Sequence, residues 1–171
     1  MSYAAVEAFF NDVLRDPASP RALPLNPDKL HQVGALHGVK LFTNDWGVRT
    51  RVQGIAAGNR SRWAVYEGKQ SLGAYLADMK KLRDLLSHGQ DPRAVSNNSG
   101  ALWKLANGRH SMRLMGAEGF IQAACDLASQ TVLAFGGDLN DLPDWPEPAR
   151  SGLSAEPRPA LKLLPAEAQS S

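Results

Sequence analysis

Cysteine is almost absent from this chain of 171 residues. The single thiol, Cys125, excludes an intramolecular disulfide, and its place inside FIQAACDLASQTVLAF predicts a small buried side chain. Histidine is scarce as well, with four residues, and none stands at H-x-x-x-H or H-E-x-x-H spacing. His31 and His37 are six residues apart on one expected helix, about 240° round its axis, which is poor placement for a shared ligand. With no C-x-x-C either, the sequence predicts no metal site and no cofactor. The aspartates Asp138, Asp141 and Asp144 lack the glycine and glutamate of a calcium loop. Long apolar runs are missing too, so no membrane span of about 18 residues is expected. Glu7 and Asp12 interrupt the stretch a signal peptide would need, which predicts a soluble cytoplasmic protein.

What is present is ordinary globular composition, 43% hydrophobic and 21% charged, long enough for one core without staples. The net charge of +2 hides an uneven distribution. Residues 46–115 hold 12 basic and 4 acidic side chains, a net +8, whereas 116–171 hold 3 and 8, a net −5. Such a division makes either an anion-binding surface or a basic body folded against its own acidic tail.

Helical periodicity is clear at the start. Val6, Phe9, Phe10, Val13 and Leu14 form one stripe, with Ser2 as N-cap and Pro17 ending the run. Asn26-Pro27 opens a second helix that Gly38 closes. Ser71 is the expected N-cap of a third, whose stripe is Leu72, Tyr75, Leu76, Met79, Leu82, Leu85 and Leu86, with Asp78 among the solvated residues. A short helix is expected over 100–106, and a final one over Ala117–Phe135, whose apolar positions wrap more than half its circumference, capped by Gly136. Between the second and third helices, Val48, Thr50 and Val52 alternate with Arg49, Arg51 and Gln53, the pattern of a strand with a basic outer face. Residues 60–66 alternate similarly after a turn over 54–59. The fold class expected is mainly α: four to five helices around one core, with a small two-stranded β element near 47–67. Residues 1–137 form the single globular domain, and 138–171, with 6 of the 11 prolines, an acidic extended or disordered tail.

The stretch FFNDVLRDP, then Leu23 and Leu25, then NPDKLHQVGALHGVKLFTNDW, resembles the Nif-eleven family of small helical domains. Phe9, Leu14, Asp16, Pro17, Leu30, Gly38, Phe42, Thr43 and Asp45 carry the resemblance, which covers residues 2–46. It implies a helix pair there and a bacterial protein, from a family that occurs in nitrogen-fixing bacteria and as leader segments recognised by a maturation enzyme. The chain departs from the leader pattern: Gly136-Gly137 lies far downstream, and no cysteine or threonine follows it.

No nucleophile with an evident base, and no phosphate loop, stands out; GAEG at 116–119 lacks the lysine and hydroxyl residue. The leading expectation is therefore a non-enzymatic accessory or adaptor protein acting by protein–protein contact, with a protein partner or a second copy of itself. Trp145, Leu161, Leu163 and Leu164 are its candidate docking residues. The alternative is a small nucleic-acid-binding protein using the 46–69 face. There Trp46, Arg49, Arg51, Arg60, Arg62, Trp63 and Lys69 would supply guanidinium donors and stacking rings. A third reading is an enzyme whose site is assembled only in three dimensions; no catalytic residue is assigned.

Overall fold

The computed structural model describes residues 3–15, 25–54, 61–142 and 157–165. Four α-helices and two small antiparallel hairpins follow the order α1 (Tyr3–Val13), α2 (Pro27–Leu36), β1 (Gly47–Val52), β2 (Arg62–Glu67), α3 (Lys69–Ser87), β3 (Trp103–Lys104), β4 (His110–Ser111) and α4 (Leu114–Ala134). The mainly helical architecture around a two-stranded element is as the periodicity predicts. Ser2, Pro17 and the turn over 55–59 lie outside the described residues.

Local chemistry sets the helix ends. Asn26 Oδ1 accepts from the amides of Asp28 and Lys29 at 3.0 and 3.2 Å, and Pro27 occupies the first turn, where no amide partner is needed. At the other end of α4, the Gly137 amide bonds Val132 O and the Gly136 amide bonds Leu133 O, the paired closure of a Schellman motif. Gly136 sits at φ 75°, where a Cβ would strain the backbone. The N-terminus of α3 differs from expectation. Its cap is Gly68, not Ser71, because the Gly68 amide already bonds Trp46 O as the last rung of the sheet and the strand runs directly into the helix.

The main core lies between α1, α3, α4 and the inner face of the β1–β2 sheet. Phe10 packs tilted against Phe42 at 5.4 Å, Phe42 stacks on Trp46 at 4.8 Å, and Tyr66 of β2 stacks on Tyr75 of α3 at 5.0 Å. The α3 stripe is buried from Leu72 to Leu85, while Leu86 is exposed. Asp78, placed by sequence on the solvated side, is buried. Its carboxylate accepts from the Ser99 amide and hydroxyl, at 2.8 and 2.7 Å, and pins the 96–99 loop to α3.

The short helix expected over 100–106 is instead the β3–β4 hairpin, pairing Trp103 with Ser111 and Lys104 with His110. Leu-Trp-Lys-Leu fits either period, and the following Asn107-Gly108 turn decides it: the Leu105 amide bonds Arg109 O and the Gly108 amide bonds Leu105 O. α4 begins at Leu114, three residues earlier than expected.

Candidate docking face of the central sheet

All six residues of β1 are buried, charged ones included. The reason begins with register. Gly47 pairs with Glu67 and Val52 with Arg62, and the Gly68 amide bonds Trp46 O. In an antiparallel pair, bonded and non-bonded positions alternate, so 48, 50 and 52 exchange main-chain bonds with β2. Gly47, Arg49 and Arg51 therefore turn their N–H and C=O groups away from it. An open edge of this kind is costly if buried and adhesive if exposed.

Helix α4 closes that edge with side chains. Gln130 Oε1 accepts from the Gly47 amide at 3.0 Å, and its Nε2 donates to Gly47 O at 2.7 Å, so one carboxamide stands in for a neighbouring strand. Asp126 accepts from the Arg49 amide at 2.6 Å and from the same residue's Nη2 at 2.6 Å and Nε at 3.1 Å. The match is geometric: four helical residues rise about 6 Å and two strand residues about 6.8 Å, so 126 and 130 fall opposite 49 and 47. Farther along, Gly119 lies so close to the Arg51 amide and the Thr50 hydroxyl that a Cβ there would overlap both. Burial pushes the Asp126 carboxyl above its ordinary value, while the Arg49 donors and Gln122 pull it the other way.

The outward-facing basic strand expected from the alternation is therefore corrected. Arg49 and Arg51 are 4% and 2% exposed. Alternation correctly puts both on the face opposite Val48 and Val52, but that face is covered. Arg51 Nη2 donates to Ser61 Oγ at 2.7 Å, and its guanidinium lies over the Trp63 ring at 4.7 Å. Arg49 Nη1 donates to Pro159 O at 3.3 Å. Trp46 belongs to the main core on the other side. Arg62 is exposed and makes no ion pair with a described residue; Arg60 and Trp145 lie outside the described residues. Lys69 sits at the N-terminus of α3, 4.0 Å from Asp28, beside an open depression of about 500 Å³ walled by Asn44, Gly68, Ser71 and Ser99. The six of those residues that are described are thus not brought together as one anion-binding face.

The cover over Arg49 comes from the segment read as a loose tail. Residues 157–165 return to the sheet, and Leu161 and Leu164 are buried there, apart from the main core. Leu161 and Leu164 exchange main-chain bonds, at 2.7 and 3.2 Å, closing Leu161-Lys162-Leu163-Leu164 into a tight turn. The Lys162 amide donates to Glu67 Oε1 at 2.8 Å, and its Nζ reaches Asp45 at 3.2 Å. Glu67 faces the same way as Gly47, its register partner, and Val65 the same way as Arg49. Val65 and Leu163 remain 38% and 39% exposed, an apolar margin to the seated turn.

Sequence reading missed Asp126 and Gln130 as partners of the strand, although polar residues recurring every four positions along the helix at Gln122, Asp126 and Gln130 were the available signal. Among the described residues no group of three or more metal-ligating side chains converges, and no helix is long and apolar enough to cross a membrane. No family model, curated protein or solved structure matches the chain.

Proposed function

We propose that the protein is an adaptor that works by protein–protein contact through the outer face of the β1–β2 sheet. One observation carries this reading: that face holds a peptide turn by two buried leucines, main-chain bonds and an ion pair, as a recognition groove does. The exposed Val65 on the same sheet face extends the apolar surface beyond the turn. The Nif-eleven-like start is in keeping with it, since leader domains of that family work by being recognised by another protein. The test is affinity capture from the source organism with wild-type chain and with Val65→Asp, an exposed position on the outer sheet face. A protein retained by the first and lost by the second supports the reading; retention of the same proteins by both sinks it.

A second reading has its own observation. Arg62, Lys104 and Arg113 carry no carboxylate partner among the described residues. They gather at the Val52 end of the sheet: Arg62 pairs with Val52, the Lys104 amide donates to Gln53 Oε1 at 3.2 Å, and Arg113 stacks over Trp103. Such a cluster supports phosphate-backbone contact, each contact adding about one unit to the log–log salt slope of binding. Charge reversal of all three should abolish retention on a polyanion column at low salt; unchanged retention would remove this reading.

A further inference from the structure

We infer that the seated turn is a removable occupant, and that its groove recognises the same chemistry in a partner protein. That chemistry is a hydrogen-bonded turn bearing leucines three residues apart, with a lysine or arginine directly after the first. The inference rests on the proposed docking role of this face and names what docks there.

Three features of the groove define the ligand. Leu161 and Leu164, side by side because their main chains exchange both bonds, supply the apolar anchors. Arg49 presents Nη1 to a carbonyl two residues before the first leucine, here Pro159 O, while its Nε and Nη2 donate to Asp126. The donor is therefore held in place by a buried ion pair whether or not the turn is present. Asp45 and Glu67 form an acidic rim that meets Lys162 through its ammonium and its amide. A basic residue at that position is complementary to the rim, and an acidic one would be repelled.

The turn is also separable from the fold. Its leucines lie outside the main core cluster, and its polar contacts at the rim are exposed. Tethered by the chain itself, it meets the groove at an effective concentration in the millimolar range, so a free partner segment of equal intrinsic affinity is outcompeted. The seated turn thus sets a threshold: only a partner that binds better, or that is itself tethered nearby, displaces it.

The experiment uses the full chain and a fluorescein-labelled peptide of residues 157–165. Leu161→Asp with Leu164→Asp should unseat the internal turn and raise affinity for the peptide by at least about tenfold over wild type. Adding Asp45→Lys and Glu67→Lys should then lower it by at least about fivefold. Equal binding by wild type and the unseated variant, or indifference to the rim substitutions, overturns the inference. Should the unseated variant fail to fold, hydrogen exchange on the unmodified chain decides. The Leu161, Lys162 and Leu164 amides should exchange by local opening, at least about a hundredfold faster than those of Gly47 and Arg49. Equal protection would make the turn an integral part of the fold and end the proposal. A concentration-dependent dimer lost in the unseated variant would overturn it in favour of exchange between two copies of this chain. Peptide binding and capture from the organism fail separately: the first tests the ligand chemistry, the second the docking role.

Discussion

Single residues decide whether β1 can be buried at all. Gln130 is the clearest case, since its carboxamide satisfies both the N–H and the C=O of Gly47. Gln130→Leu keeps the volume and strands both groups, at a cost of roughly 1–3 kcal/mol for each. Urea denaturation should show the loss directly; a change under about 0.5 kcal/mol would mean that water reaches the edge and the carboxamide is dispensable. Asp126 works on the same edge with a different risk. Its ion pair with Arg49 offsets two desolvation penalties, so removing either partner alone costs far more than the pair contributes. These roles were not legible in the chain. Alternation correctly put Arg49 and Arg51 on one face of a strand, but alternation says nothing of what lies against that face.

At the scale of elements, the approach of α4 to β1 turns on one missing side chain. A glycine inside a helix ordinarily costs about 1 kcal/mol relative to alanine. Gly73 of α3 follows that rule: a Cβ there meets only the Pro27 ring at 3.7 Å, and Gly73→Ala should stabilise by about 0.5–1 kcal/mol. Gly119 should reverse the sign. Its Cβ would meet the Arg51 amide, which is backbone and cannot swing aside, so Gly119→Ala should destabilise by about 1–3 kcal/mol despite better helix propensity. Thermal melts of the two variants check the contrast, and a stabilised Gly119→Ala would show that α4 sits farther from the strand. Helix existence and several of the ends were legible because they rest on neighbours in sequence, as with the start at Asn26 and the stops at Gly38 and Gly136. The 100–106 segment was misread because four residues cannot distinguish period 3.6 from period 2.

The molecule as a whole buries protons that it keeps at high pH. Burial pushes the Cys125 thiol up to about 11 from an ordinary 9.0. Burial likewise raises the hydroxyls of Tyr3, Tyr66 and Tyr75. For each group the folded state holds the proton to a higher pH than the unfolded chain does. The stabilisation is therefore complete below the unfolded values and lost as pH rises through the folded ones. Melting temperature should hold steady to about pH 8 and fall steadily between about 9 and 11. Cys125→Ala should flatten the first part of that fall, and a melting temperature constant to pH 11 would contradict the burial of these groups.

The sequence by itself determined the helical character, the helix ends that capping chemistry writes locally at Asn26, Gly38 and Gly136, and the β1–β2 pair with its two chemically distinct faces. Those features follow from periods of 3.6 and 2 and from residues whose partners lie within one turn. Only the tertiary structure decided that the basic face is interior and that the leucines near the C-terminus are seated. It also decided that Asp126 and Gln130 of α4 close the strand edge. Arg49 meets Asp126 across 77 residues and Pro159 across 110, and periodicity carries no information over such separations. Burial of a charge is set by whatever the rest of the chain brings to it.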